Sequence, residues 1–166
     1  MKKIVSFLLT ITLLLCNGFT VSAEEIPTPP ADQISFNPNY AFDENYYFFD
    51  PNQNNPNSSG GDGLGLIYIY SGIRKSGSNI TASFTTTANL ECTYIGAAVI
   101  IQRWNNNSWE TVYSFSVWDY DVSSVSATKT INVDSGFYYR VRAMHVAATL
   151  LSSKSGVTVT QSILVN

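Results

Sequence analysis

The residues that could act as catalytic groups are few in this 166-residue chain. His145 is the single imidazole, and Cys92 is the single thiol if Cys16 is removed with an N-terminal signal peptide. A nucleophilic cysteine needs a neighbouring base, and no catalytic motif surrounds either residue. Cys92 is therefore interpreted as a small buried residue on a strand. The sequence has no serine nucleophile elbow, zinc-ligand spacing or phosphate loop, so we expect neither enzymatic activity nor a cofactor.

Acidic residues leave two weaker alternatives. Asp119 and Asp121 lie beside Trp118 and offer two carboxylates to an extracellular Ca²⁺. Calcium takes six to eight oxygen ligands, so no metal site is predicted. A glycosidase needs only two carboxylates, which keeps a small extracellular hydrolase as the third functional alternative. A basic stripe for nucleic acid is missing from the sequence, so nucleic acid is not an expected partner.

Two tryptophans form the first candidate binding feature. Trp104 and Trp109 flank the four residues Asn105 to Ser108, which have the composition of a tight turn. The two indoles are therefore expected to face each other across a hairpin. They can form an aromatic platform for sugars, with asparagine side chains bonding to hydroxyls. The alternative is cross-strand packing without any ligand.

The run Phe137 to Val146 supplies the second candidate feature. Its alternation predicts that Phe137, Tyr139, Val141 and Ala143 point inward, whereas Tyr138, Arg140, Arg142 and Met144 point outward. Two arginines beside an aromatic ring on one exposed face suit a carboxylate or phosphate. The alternative is ordinary pairing with Asp or Glu on a neighbouring strand.

An all-β domain at residues 64–166 is predicted to position these groups. No window of eleven or more residues has sustained apolar spacing at 3.6 residues. Seven strands are predicted, at 66–70, 80–85, 97–104, 109–118, 125–133, 137–146 and 156–165. The third is apolar on both faces and is expected to be central; the seventh has Val157, Val159, Ile163 and Val165 on one parity. This pattern predicts a seven-stranded antiparallel β-sandwich.

Parts of this domain resemble a fibronectin type III module of the immunoglobulin-like class. The stretches that resemble its C, C′ and F strands and the run into its G strand are 99–103, 108–112, 137–143 and 152–157. The resemblance implies a tyrosine corner at the position of Phe137, so its hydrogen bond is expected to be lost or to move to Tyr138 or Tyr139. Phe84 stands where that fold usually has tryptophan in its B strand.

The N-terminus has the pattern of a secretory signal peptide at residues 1–23. Lys2 and Lys3 precede a 12-residue apolar run, and Val21-Ser22-Ala23 fits cleavage after Ala23. Lipoprotein processing at Cys16 is the alternative, although Leu15 occupies a position where a small residue is normal. The mature chain is expected to be secreted, with no transmembrane segment. The overall layout also resembles small exported proteins of Gram-positive bacteria, which implies a compartment and no chemistry.

Residues 24–63 form an acidic leader with a Gly/Ser-rich hinge, predicted to be disordered or loosely docked. They contain seven acids and no Lys or Arg, whereas residues 64–166 contain seven bases and five acids. This asymmetry allows the leader to lie on the domain. The leader also holds four consecutive aromatic residues, Tyr46, Tyr47, Phe48 and Phe49. They are interpreted either as an extra strand or lid, or as a segment offered to a partner as an added strand.

These features together predict a secreted, non-catalytic binding module. Its expected partner is a protein or an extracellular polysaccharide, and its candidate ligand-binding residues are Trp104, Trp109, Tyr138, Arg140 and Arg142. The alternative class is a structural surface protein that self-associates through exposed strand edges and the aromatic leader.

Overall fold

The computed structural model describes residues 26–46 and 63–166, which form two antiparallel sheets packed as a sandwich. The strands are β1 (Tyr40–Tyr46), β2 (Leu66–Ser76), β3 (Asn79–Cys92), β4 (Tyr94–Asn105), β5 (Ser108–Asp119), β6 (Val122–Asn132), β7 (Phe137–Ala148), β8 (Ser153–Val159) and β9 (Ile163–Val165). The all-β sandwich is therefore confirmed, with nine strands in the described ranges where the sequence predicted seven.

Four strands form one sheet and five form the other. One sheet has the order β1-β2-β3-β6, and the other has the order β5-β4-β7-β8, with β9 also paired to β7. The predicted central position of β4 is confirmed, because it pairs with both β5 and β7. Alternate residues of β3 and β7 point into the core, which is why Phe84, Tyr139 and Val141 are buried. The predicted inward and outward sets of β7 agree with this pattern.

The first strand comes from the acidic leader. Residues 40–46 pair with β2 along their whole length, from Tyr40 opposite Arg74 to Tyr46 opposite Tyr68. Ala41 is buried against the core, and the Asp43 carboxylate accepts a hydrogen bond of 2.7 Å from the backbone N–H of Val159. This part of the leader is therefore an edge strand of the sandwich, which differs from the expected loose docking.

The predicted seventh strand is interrupted at residues 160–162. Thr160 donates its N–H to the carbonyl of Val141, and its hydroxyl accepts the N–H of Val141. This side-chain bond takes the place of a regular ladder bond and ends β8. Val157 and Val159 are exposed, whereas Ile163 and Val165 are buried, so the interruption reverses which parity faces the core. The expectation that these four residues share a face is wrong.

Two further expectations concern single residues. The Tyr139 hydroxyl donates a 2.9 Å hydrogen bond to the carbonyl of Asp134, five residues upstream. A tyrosine hydroxyl bonded to an upstream carbonyl is therefore present at Tyr139, one of the two positions expected for it. Cys92 is buried at the end of β3, as predicted.

Some predictions lie outside the described residues. The signal peptide with its cleavage after Ala23 is one, and the aromatic residues Tyr47, Phe48 and Phe49 are another. For Tyr46 the structure gives the backbone position in β1. Within the described ranges, no helix has the length and apolar character needed to cross a membrane.

Candidate functional site

The two predicted tryptophans meet on the outward face of the five-stranded sheet. Trp104 and Trp109 are directly opposite in the β4–β5 hairpin, and their ring centroids are 5.2 Å apart at an interplanar angle of 60°. The positive φ of 54° at Asn106 forms the tight turn between them, as asparagine allows. Trp104 is buried, whereas Trp109 is half-buried. The two rings thus pack edge-to-face, and only the Trp109 ring is partly accessible to solvent.

Arg140 lies beside this corner. Its guanidinium carbon is 4.2 Å from the centroid of the Trp109 ring, and its Nε donates a 3.0 Å hydrogen bond to the side-chain carbonyl of Gln102. Gln102 is the direct neighbour of Arg140 across the β4–β7 ladder. The stacking and the hydrogen bond together fix the plane of the guanidinium.

Arg142 follows two residues later on the same face and is exposed. Its ladder neighbours are Ile100 on β4 and Val159 on β8, neither of which carries a charge. Among the described residues, Arg103 alone among the arginines and lysines has a carboxylate within ion-pair distance. The pairing of Arg140 and Arg142 with acids on neighbouring strands is therefore not seen in the part of the chain that the structure describes.

The electrostatic consequence is strongest at Arg140. Partial burial lowers its pKa from the usual arginine value, and the charge of Arg142 lowers that pKa further. Among the described residues, no negative charge offsets these two effects at Arg140. An anion at this position would restore favourable electrostatics, and the η nitrogens of Arg140 have the fork geometry that carboxylates accept.

The described part of the leader reaches this surface through Gln33. Trp109 Nε1 donates a 2.9 Å hydrogen bond to Gln33 Oε1. The Gln33 carbonyl accepts both the N–H and the hydroxyl of Ser162, and Ser35 N–H donates to the Ser162 carbonyl. The side chain that makes this contact is the neutral amide of Gln33, whereas the aromatic residues 47–49 and four of the seven leader acids lie outside the described residues. No sequence signal links Gln33 to a tryptophan 76 positions away.

We call Trp104, Trp109, Tyr138, Arg140 and Arg142 the Trp–Arg surface. All five are outward-facing on neighbouring strands β5, β4 and β7. Four of them are at least partly accessible, and the buried Trp104 packs edge-to-face against Trp109. The hairpin and the β7 alternation, predicted separately, are therefore brought together into one surface.

The single histidine is a core residue. His145 is fully buried, with Nδ1 2.8 Å from Thr86 Oγ1 and Nε2 2.9 Å from Thr158 Oγ1. Thr86 also donates to the carbonyl of Gly96, which leaves its hydroxyl oxygen to accept from a protonated Nδ1. Burial lowers the pKa of His145 to about 4, so the ring is neutral at physiological pH. The ring therefore has structural partners on both nitrogens.

Two carboxylates, of Glu110 and Asp134, lie close to Arg103. Arg103 lies 3.7 Å from Glu110 and 3.2 Å from Asp134, and its guanidinium stacks on Phe137 at 4.6 Å. A pocket of about 340 Å³ adjoins Arg103 and Tyr139. Both carboxylates are thus engaged by one arginine. In the described ranges, no three or more His, Cys, Asp or Glu residues are grouped as metal ligands would be.

Comparisons with known proteins give no relative for this chain. The family models, the curated proteins and the solved structures that were searched contain no match.

Proposed function

We propose that the protein is a secreted, non-catalytic binding module that holds an anionic extracellular partner on the Trp–Arg surface. The observation that carries the proposal is the pair Arg140 and Arg142, which face the same way without a carboxylate neighbour among the described residues. A partly buried cation is electrostatically costly, and none of the described carboxylates lies within ion-pair distance of Arg140 to offset that cost. A bound carboxylate offsets that cost, so the arrangement favours anion binding.

The surface is also organised before any ligand arrives. The indole of Trp109 is held by Gln33, and the guanidinium of Arg140 is held by Trp109 and Gln102. Side chains that are already fixed lose little conformational entropy on binding. Tryptophan, tyrosine and arginine are also the residue types that dominate binding energy at interfaces.

A polysaccharide with carboxylate groups and an acidic protein segment share the required chemistry. Titration calorimetry with polygalacturonate and with polyglutamate separates these two partners. We expect binding to at least one of them, weaker at 500 mM than at 50 mM salt because exposed charges are screened over about 10 Å at 0.1 M. Absence of binding to both polymers at low salt would overturn the proposal.

The fold assignment within this proposal is a fibronectin type III-like module. The stretches that resemble the C′, C, F and G strands lie in β5, β4, β7 and β8, and these four strands are neighbours in that order. The hydrogen bond from Tyr139 to Asp134 has the geometry of a tyrosine corner. Both observations support the finer assignment.

Self-association is the second candidate function, and one observation favours it. Several large apolar side chains remain exposed on the outward face of the five-stranded sheet, beyond the Trp–Arg surface: Tyr94, Trp118, Met144, Val157 and Val159. Contiguous apolar patches on monomers usually mark contact sites. Light scattering across a concentration series distinguishes the two functions. A second copy bound at this patch gives a mass that rises with concentration and falls in Met144→Lys.

Secretion remains part of the proposal and has its own test. If Ala23 is the cleavage site, the exported protein begins at Glu24. N-terminal sequencing of protein recovered from culture medium measures this directly. A lipid-modified N-terminus at Cys16, or retention of residues 1–23, would contradict it.

A further inference from the structure

The opposite sheet has an outward face of a different kind. On β1 and β2 its side chains are mainly aromatic: Tyr40, Phe42, Tyr68 and Tyr70. On β3 and β6 they are hydroxyl-bearing: Thr81, Ser83, Thr85, Thr87, Ser124, Ser126, Thr128 and Thr130. We call these twelve residues the aromatic–hydroxyl face. It lies on the far side of the sandwich from the Trp–Arg surface.

The aromatic side chains form one continuous row. Ring centroids are separated by 5.6 Å from Tyr40 to Phe42, by 6.3 Å from Phe42 to Tyr70, and by 6.4 Å from Tyr70 to Tyr68. The interplanar angles along the row are 28°, 26° and 20°, so the rings are close to parallel. The Tyr40 and Tyr70 hydroxyls are 2.8 Å apart. Phe42 is 50% exposed although it carries no polar group.

Gly72 allows one of these rings to lie across the sheet. A Cβ at this position would collide with the Tyr70 hydroxyl and with Ser83 Oγ. The space that a side chain at position 72 would occupy is therefore taken by the end of the Tyr70 ring, which extends along β2 over Gly72. The half-buried Tyr70 ring therefore lies over β2 between the rings of Phe42 and Tyr68, where it extends the aromatic row along the sheet.

The hydroxyl rows complete the face. Cross-strand pairs join Thr81 to Thr130 at 2.8 Å, Thr85 to Ser126 at 2.8 Å and Thr87 to Ser124 at 2.9 Å. Each hydroxyl in such a pair keeps spare lone pairs, and one of the two keeps a proton for an external acceptor. Same-face residues on a strand repeat at about 6.7 Å, and neighbouring strands are about 4.8 Å apart. The result is a flat grid of donors and acceptors beside the aromatic row.

The face carries little charge. Glu44 at its edge accepts a 3.0 Å hydrogen bond from the Tyr68 hydroxyl, and Arg74 lies opposite Tyr40 at the other end. Burial and the hydrogen bond with Tyr70 raise the pKa of Tyr40 to about 12, so its hydroxyl stays neutral at physiological pH. A ligand for this face therefore needs apolar flat surfaces and many hydroxyls rather than ionic groups.

We propose that the aromatic–hydroxyl face binds an extended, uncharged polysaccharide. The apolar C–H sides of the sugar rings stack on Phe42 and Tyr70, while the sugar hydroxyls exchange hydrogen bonds with the serines and threonines of β3 and β6. Protein interfaces are depleted in serine, whereas eight of the twelve residues of this face are serine or threonine, so a sugar polymer suits it better than a protein. This second site is independent of the anion site proposed above.

Affinity electrophoresis in gels that contain hydroxyethyl cellulose, laminarin, mannan or neutral xylan tests the proposal. We expect at least one polymer to retard the purified protein. Phe42→Ala should weaken that retardation about fivefold, the loss expected for one aromatic contact. Gly72→Val should weaken it as well, because it displaces the Tyr70 ring. Retardation by none of the four polymers would overturn the proposal.

Two control variants make the result specific. Tyr120→Ala removes an exposed aromatic residue from the turn after β5, away from the face, and should leave retardation unchanged. Arg142→Gln on the other sheet should also leave it unchanged, which separates this site from the anion site. Equal retardation of Phe42→Ala and the unaltered protein would contradict the proposal. Because Phe42 is half-exposed, thermal unfolding should show that its alanine variant remains folded.

Discussion

The guanidinium of Arg140 lies 4.2 Å above the Trp109 ring, although the two residues are on β7 and β5 with β4 between them. Gln102 of β4 accepts a hydrogen bond from Arg140 and so bridges the gap. On its other side, Trp109 holds Gln33 of the leader. One chain of contacts thus connects the N-terminal segment, the tryptophan hairpin and the arginines. These contacts are possible because β5, β4 and β7 are neighbours in the sheet.

The buried histidine predicts a loss of stability in mild acid. The pKa of His145 is about 4 in the folded protein, compared with 6.5 for an exposed histidine. Between pH 6.5 and pH 4 the unfolded chain therefore binds a proton that the folded chain does not, so stability falls as pH falls. We expect a loss of roughly 2 to 3 kcal/mol between pH 7 and pH 4.5.

Urea unfolding at pH 7 and pH 4.5 measures this effect. His145→Gln is the matched variant, because an amide can bond to Thr86 and Thr158 without titrating in this range. The variant should be less stable at pH 7 but should lose less stability on acidification. If both proteins lost the same free energy of unfolding, the assignment of the pH dependence to His145 would be wrong.

The hydrogen bond from the Tyr139 hydroxyl to the Asp134 carbonyl should stabilise the folded protein measurably. Tyr139→Phe removes the donor to the Asp134 carbonyl while keeping the ring in the core. We expect a decrease of about 1 kcal/mol in the free energy of unfolding. Tyr120→Phe is the control, because Tyr120 is 65% exposed. Equal stability of the two variants would mean that the Tyr139 bond contributes nothing.

Because β1 pairs with β2, we expect the stability of the domain to depend on residues before position 64. Removing residues 24–63 deletes β1, uncovers Ala41's packing partners and leaves β2 as an unpaired edge. We expect the unfolding temperature to fall by at least about 5 °C and the shortened chain to associate through the open edge. In the longer chain, amide hydrogens of residues 40–46 should exchange slowly. Fast exchange there, with equal stability of both chains, would show that β1 is not docked in solution.

Much of the fold could be predicted because most strands have either regular alternation or a continuous apolar run. β3 and β7 place large apolar residues inward, and β4 is apolar on both faces, so their positions follow from the hydrophobic effect. β1 has the reverse pattern. Its inward residues are Ala41, Asp43 and Asn45, while Tyr40 and Phe42 face outward. An acidic strand that closes the sandwich through a carboxylate–backbone bond has no hydrophobic signature.

The Trp–Arg surface could be predicted from the sequence to a larger extent than the aromatic–hydroxyl face. Trp104 and Trp109 are close in sequence, and Arg140 and Arg142 share a strand, so both pairs could be predicted locally. The aromatic–hydroxyl face could not, since it combines Phe42 with Tyr70 and Thr85 from three different strands. Gln33 was missed for the same reason. Such contacts depend on strand order, which alternation alone does not specify.

The measurement that tests the central claim most directly is the affinity of polygalacturonate and polyglutamate for three proteins: unaltered, Arg142→Gln and Arg74→Gln. Arg74 is exposed on the opposite sheet, so its replacement makes the same change in net charge elsewhere. If the Trp–Arg surface holds the anion, Arg142→Gln should bind about tenfold more weakly, and Arg74→Gln should bind nearly as well as the unaltered protein. Equal weakening by both variants would show that only net charge matters and would contradict an organised site.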